Sequence, residues 1–168
     1  MTWLDRLLRR PSVPGWLRRE LEEDEYVLAA AALADGAVVA TSHGIWLPEQ
    51  RRIGWHLVSK ATWSSGALGL IEAVEEPLDG AVLLSDLPVR RFPLTEAGKL
   101  PQTVQRRVEA SIVSRHRRDL PGGGVWLVQR KVPGKGLVQL QVRADPGTDA
   151  DAVRGVVAEV TRVIALDR

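Results

Sequence analysis

The stretch YVLAAAALADGAVVATSHGIWLP, residues 26–48, contains three short apolar segments separated by two glycine-containing breaks. The breaks, ADG at 34–36 and SHG at 42–44, suit tight turns because glycine accepts positive φ without a side-chain clash. Apolar segments of this length between turn residues are typical of strands. The alanine run at 29–32 has helical propensity, and we expect the strand context to override it.

The same alternation of apolar segments and breakers continues to Leu94 and predicts a small β-barrel or paired antiparallel sheets. In this region SSG at 64–66 suits a turn between two strands and does not form a nucleophile elbow. The seven predicted strands span residues 26–33, 37–41, 44–48, 57–63, 67–73, 80–85 and 89–94.

From Pro101 the apolar period becomes helical. Val104, Val108 and Ile112 form one stripe, and the PGGG sequence at 121–124 stops the pattern. The spacing predicts a helix over 101–117 that closes the β-rich region.

Two further strands and a helix follow the glycine run. We predict a hairpin whose strands are 125–132 and 137–143. Its second strand alternates apolar and polar residues, which is typical of a strand with one solvent-exposed face. The final helix, about 149–166, begins at a Thr148/Asp151 capping box. It carries one apolar stripe that we expect to be buried: Val153, Val157, Val160 and Ile164.

These elements predict an α+β protein in three segments. Residues 1–24 form an N-terminal helical or linker segment, with a short amphipathic helix over 2–10. Residues 25–118 form the main body, and residues 119–168 form a β-β-α extension that packs on this body because so few residues cannot bury a good core alone.

Composition fits an ordinary globular chain, with 168 residues, 45% hydrophobic and 26% charged. Cysteine is absent, which excludes disulfides and thiolate metal sites. Only four of the 23 basic residues are lysine, a bias typical of GC-rich bacterial genomes. With no twenty-residue apolar span and no recognisable secretory signal, we expect a cytoplasmic protein without a transmembrane segment.

Catalytic and cofactor motifs do not emerge from the sequence. The three histidines, His43, His56 and His116, have no local carboxylates at metal-ligand spacing, and the glycine run at 122–124 precedes a strand rather than a helix. We therefore predict no metal, no cofactor and a non-enzymatic role. The alternative is an enzyme whose active site forms only in the fold, from His43, His56, Ser64 or Asp86.

A basic region lies between Arg106 and Lys135 and could attract phosphates or another polyanion. A solvated face, with arginines capping the end of the 101–117 helix, explains the same residues without a ligand. The candidate anion- or partner-binding residues are Arg115, Arg117, Arg118, Arg130, Lys131 and Lys135.

Three tryptophans, Trp46, Trp55 and Trp63, fall in the centre of the β-rich region. Each can bury a large area, so we expect them in the core. The alternative is an exposed aromatic platform that stacks on bases or another ligand.

The segments AVVATSHGIWLP (37–48), RRIGWHLVSKATW (51–63) and ALGLIEA (67–73) resemble bacterial pleckstrin-homology-like domains. The resemblance covers about residues 25–118, including the closing helix, and does not explain the appended hairpin and helix. It implies a binding or scaffold module for protein, peptide or lipid partners. We expect a protein partner, and the basic residues between 106 and 135 give nucleic acid as the alternative. The first turn, at 34–36, lacks the basic residues that phosphoinositide contacts require in that family. The oligomeric state stays open.

Overall fold

The structure, a computed structural model, describes residues 13–167 and shows an α+β protein in this range. The predicted helix at 2–10 lies outside the described residues. The helices are α1 (Leu17–Glu20), α2 (Leu100–Ser111) and α3 (Ala150–Leu166). The strands are β1 (Val27–Leu33), β2 (Gly36–Thr41), β3 (Gly44–Trp46), β4 (Arg52–Gly54), β5 (Val58–Ser64), β6 (Ala67–Leu78), β7 (Ala81–Asp86), β8 (Arg90–Pro93), β9 (Ile112–Leu120), β10 (Gly123–Val132) and β11 (Leu137–Ala144).

The first sheet is an antiparallel meander in the order β1-β2-β3-β4. The alanine run forms part of β1 as predicted, and Ala29 and Ala31 are buried in the core. Leu33 pairs with Gly36 across the first tight turn. Strand β4 was missed by the sequence analysis because only three residues, Arg52–Gly54, separate the break after Pro48 from the 3₁₀ turn Trp55–Leu57.

The second sheet runs in the order β5-β6-β7-β11-β10-β9, with β8 paired to β6. Strand β6 is twelve residues long, and it pairs with β5 and β8 along its first half and with β7 along its second half. One pairing departs from the expected antiparallel arrangement, because β11 joins β7 in parallel through Gln141 and Val142. This pairing connects the C-terminal hairpin to the rest of the sheet.

Two apolar cores form on these sheets. The first lies inside a curled half-barrel made by β1–β6 and β8, and α2 closes it with Leu100, Val104 and Val108. The second lies between α3 and one face of the β7-β11-β10 region. Val153 and Val157 of the predicted stripe are buried there, while Val160 and Ile164 are partly buried.

The helix predicted over 101–117 extends too far toward the C-terminus. Helix α2 stops at Ser111, and Ile112–Leu120 is strand β9, which pairs with β10 along nearly its whole length. The glycines after Pro121 turn the chain back, with Gly122 at φ +84°, so the strand gains a complete ladder that a longer helix would forfeit. The arginines of this segment are therefore not helix caps.

Smaller features also differ from the predictions. Helix α3 is capped by Asp149, which accepts a hydrogen bond from the Ala152 N–H, while Thr148 bonds to Gly124 and Asp145 instead. The polar face of β11 is not uniformly exposed to solvent, because Gln141 is buried, with an exposed fraction of only 2%.

The three central tryptophans have different environments. Trp46 and Trp55 are buried as predicted, but Trp63 is 39% exposed, so its prediction as a core residue is wrong. Trp46 packs edge-on against Trp16 at 5.9 Å between ring centroids, in a small third cluster that holds the segment before β1 on the first sheet. Among the described residues, no helix combines the length and apolar character needed to cross a membrane.

Candidate functional site

The six basic residues predicted as a binding patch do not lie on one surface. Arg115 and Arg117 lie across β10 from Val128 and Trp126, on the sheet face opposite α3. Arg118 lies across from the buried Val125, on the α3 face. Of the hairpin residues, Arg130 is buried, Lys131 is exposed near the far end of β10, and Lys135 lies in the β10–β11 turn.

Arg130 is a structural cation rather than a surface one. Its guanidinium donates to the carbonyl oxygens of Trp55 and Val58 at 2.6 and 2.9 Å and to the Ser111 hydroxyl at 2.7 and 2.9 Å. Burial, followed by the nearby charges of Arg143 and Arg115, lowers the pKa of Arg130 to about 10. It therefore remains charged at neutral pH.

A groove of about 300 Å³ opens between β5 and the β9-β10-β11 face. Its wall includes the exposed cation Arg115 and the half-exposed ring of Trp126, with Arg130 and Gln141 beneath. With Arg143, three arginines line this one concave surface. The complete lining is Ser59, Ile112, Arg115, Trp126, Val128, Arg130, Gln141 and Arg143.

The charges around this groove are only partly balanced. Arg143 donates to Asp86 and to the Ser59 hydroxyl, both at 2.6 Å. Although burial opposes ionisation of Asp86, the hydrogen bonds from Ser59 and Arg143 lower its pKa. Arg115, by contrast, makes no ion pair with any residue in the 13–167 range. Among the described residues the groove lining therefore carries a net positive charge, and Arg115 is its one cation that is both exposed and without an acidic partner.

Arg117 lies on the same sheet face as Arg115, but its charge is already paired with an acid. Its guanidinium lies 5.6 Å from the Trp126 ring centroid and forms a salt bridge with Asp145. The hydrogen bonds between the pair raise the pKa of Arg117 and lower that of Asp145. On the other face Arg118 is paired in the same way with Glu159, at 3.0 Å. Two of the six predicted residues are therefore engaged with acids.

Strand β9 is an edge of the second sheet, since β10 is its only partner among the described strands. Four consecutive basic side chains, Arg115 to Arg118, project from it, and all four are exposed. Charged side chains on an edge discourage pairing with a second copy. No strand within residues 13–167 pairs with the outer edge of β9, so its backbone groups can accept an extended segment.

A second cluster of polar groups lies at the opposite end of the hairpin. His43, in the β2–β3 turn, is only 5% exposed, and its Nδ1 lies 3.2 Å from Glu22 Oε2 while its Nε2 lies 3.4 Å from Asp24 Oδ2. No hydrogen bond reaches this Nδ1 within residues 13–167. The three side chains can offer one ligand atom each within 4.8 Å of one another. No local spacing motif marks this cluster in the sequence, because about twenty residues separate His43 from the two carboxylates.

Glu25, beside this cluster, is buried and fully engaged. It accepts hydrogen bonds from the Thr41 hydroxyl and the Trp46 indole and forms a salt bridge with Arg52. Burial raises the pKa of Glu25, but the hydrogen bonds and the charge of Arg52 outweigh burial, and the net pKa lies below its ordinary value. Glu25 is therefore a structural carboxylate.

The residues of the enzyme alternative are spread over different elements. Asp86 pairs with Arg143, Ser64 ends β5 at the turn to β6, and His43 faces the acidic segment. The pKa of His56 is lowered chiefly by burial. Within the described range no hydrogen bond links any two of these four residues.

The chain matches no protein-family model, no curated protein and no solved structure.

Proposed function

We propose that this chain is a non-enzymatic binding module of the bacterial cytoplasm, with a pleckstrin-homology-like body, and that it binds an extended acidic segment of a protein partner along β9. The curled half-barrel closed by α2 supports the first part. The open basic edge of β9, next to the groove at Arg115 and Trp126, supports the second. This juxtaposition is the observation on which the proposal depends.

Addition of a strand would use both properties of β9. Main-chain hydrogen bonds to the edge supply affinity without sequence preference, and alternate side chains of the partner reach the two faces of the sheet. On the groove face they lie beside Arg115 and Arg117, with Trp126 one strand further in; on the other face they lie beside His116 and Arg118. A carboxylate beside Arg115, which makes no ion pair within residues 13–167, would gain charge-assisted hydrogen bonds.

A protein partner fits this surface better than nucleic acid. A nucleic-acid groove needs a continuous track of free cations and several stacking rings. Here Arg117, Arg118 and Arg143 are paired with acids and Arg130 is buried. Of the tryptophans that the structure describes, Trp126 is the one that lines the groove. The local charge suits a few carboxylates instead of a long phosphate backbone.

The test uses a short fluorescent peptide of alternating Glu and Val, compared with single-stranded DNA and heparin, at two salt concentrations. We expect the peptide to bind at low salt and to lose affinity when alternate amides are N-methylated, which removes main-chain bonds but keeps the charges. Arg115→Ala should weaken peptide binding by about tenfold. Arg106→Ala, which removes an exposed charge from α2, is the matched control and should have no effect.

Three results would overturn this proposal. Peptide binding could be absent at low salt, or the N-methylated peptide could bind equally well. DNA could also bind in preference to the peptide, with log affinity falling by about 0.7 per log salt for each phosphate engaged, which would replace the protein partner with a nucleic acid.

A further inference from the structure

We infer that Glu22, Asp24 and His43 form a binding site for a divalent transition-metal ion. The three side chains come from two separate segments, the turn after α1 and the β2–β3 turn, and each can offer one ligand atom, with all three atoms within 4.8 Å of one another. One imidazole nitrogen with two carboxylate oxygens is a donor set that suits ions such as Zn²⁺ and Mn²⁺. The site is independent of the β9 surface.

The main observation is the environment of the His43 Nδ1 atom, namely its burial and its hydrogen bonding. The ring is nine-tenths buried or more, yet this nitrogen has no hydrogen-bond partner within the described chain and lies 3.2 Å from a carboxylate oxygen. Buried polar atoms are nearly always satisfied, so two lone-pair-bearing atoms at this distance indicate a positive group between them. A metal ion bound between the two atoms would satisfy both of them.

The distance also suits a metal. Zinc lies about 2.0–2.1 Å from imidazole nitrogen and about 2.0–2.2 Å from carboxylate oxygen, so two ligands at a tetrahedral angle are separated by about 3.3 Å. The Nδ1–Oε2 separation of 3.2 Å agrees with this value. Asp24 Oδ2 now lies nearer to Nε2, but its side chain is 66% exposed and can turn to supply the third ligand.

The surroundings assign each carboxylate a separate role. Arg52 holds Glu22 through Oε1 at 3.0 Å, which leaves Oε2 directed toward His43. Glu25 is occupied by Thr41, Trp46 and Arg52 and does not take part.

The hairpin turn covers the imidazole from the other side. A Cβ added at Gly134 would lie only 2.7 Å from His43 Cε1, so the backbone of this turn rests against the ring. The ring is thereby held in one orientation, as a metal ligand must be. A bound ion would then attach the acidic segment to the half-barrel and to the hairpin.

The experiment measures Zn²⁺ binding by competition with a chromophoric chelator, together with the thermal midpoint and the ¹⁵N shifts of histidine. We expect one Zn²⁺ per chain at this site, a higher melting temperature and a shift of the imidazole ¹⁵N resonances of His43 that His56 and His116 do not show. Mn²⁺ should bind more weakly than Zn²⁺.

Variants of exposed residues keep the test independent of folding. Asp24→Asn and Glu22→Gln should each weaken Zn²⁺ binding by at least tenfold. Glu23→Gln lies between them and removes the same charge outside the cluster, so it should bind as the wild type does. His116→Gln, which removes an exposed histidine on β9, should also leave binding unchanged.

Failure of the wild-type chain to bind Zn²⁺ at micromolar free metal would overturn the inference, and a proton shared between His43 and the carboxylates would then replace the ion. Equal loss of binding in Glu23→Gln and Asp24→Asn would overturn it as well, because general negative charge would explain the effect.

Discussion

Arg130 Nη2 donates to the Trp55 carbonyl oxygen at 2.6 Å and thereby joins strand β10 to the 3₁₀ turn of the half-barrel. The two residues are separated by 75 positions, and the same guanidinium also reaches Val58 and Ser111. One buried cation therefore connects the hairpin to both β5 and the end of α2. This arginine therefore fixes the C-terminal hairpin against the half-barrel and its closing helix.

Replacement of Arg130 by methionine should strongly destabilise the protein. It would remove the charged hydrogen bonds to the Trp55 and Val58 carbonyl oxygens and to the Ser111 hydroxyl, and we expect a loss of about 3 kcal/mol or more in the free energy of unfolding. Urea unfolding measures this loss. Lys131→Met, at the adjacent exposed position, should change stability by less than about 0.5 kcal/mol, and equal effects would show that Arg130 is not a structural link.

Val157→Asp should cost about 4 kcal/mol or more, because it places an unpaired carboxylate in the core between α3 and the sheet. Val163→Asp is the control on the same helix, where the side chain is 54% exposed, and it should have little effect. Melting is measured at concentrations where sedimentation shows a monomer. If Val157→Asp instead leaves melting unchanged and abolishes association, this helix face is an interface between chains.

Stability should fall as acid protonates Glu25. Its pKa in the folded protein lies below the ordinary value of 4.5, so the stabilisation it provides is complete above that value. The contribution is lost as pH falls through the lower, folded-state pKa. We expect Glu25→Gln to reduce stability at neutral pH and to flatten the fall in stability below pH 4.5, as measured by chemical unfolding across pH.

The exposed Glu23 provides the comparison, and Glu23→Gln should keep the wild-type pH dependence. A Glu25→Gln variant that retains the full acid dependence would assign it to other carboxylates.

Gly134→Ala and Gly136→Ala form a matched pair within one turn. Both glycines have positive φ, at +72° and +60°, so both substitutions carry similar backbone strain. Only at Gly134 would the new Cβ collide with the His43 ring, which should add about 1–3 kcal/mol of destabilisation. Thermal unfolding of the two variants gives this difference directly, and equal midpoints would show that the turn does not rest on His43.

Much of the architecture could be predicted from local patterns. The turns at 34–36, 42–44 and 64–66 and the C-terminal hairpin depend on nearby residues, since glycine sets the turn and alternation sets the register. The burial of Val157 follows from its position on the apolar stripe. The predicted end of α2 was wrong because the segment after Ser111 gains more from pairing with β10 than from its own helical propensity.

The site residues were harder to predict because their environments depend on distant segments. Arg115 and Arg130 carry the same charge in the same basic region, yet one is free at a groove and the other is buried under three acceptors from other elements. The cluster at His43 joins an acidic block to a turn about twenty residues away, with no spacing motif to mark it.

Local sequence thus established the turns, most strand positions and the amphipathic C-terminal helix, because each depends on short-range steric and hydrophobic preferences. The parallel pairing of β7 with β11, the neutralisation of Arg117 and Arg118, and the approach of Glu22 to His43 came only from the folded chain. These contacts have partners far along the sequence, and the packing of the sheets and helices, rather than any local propensity, brings such partners together.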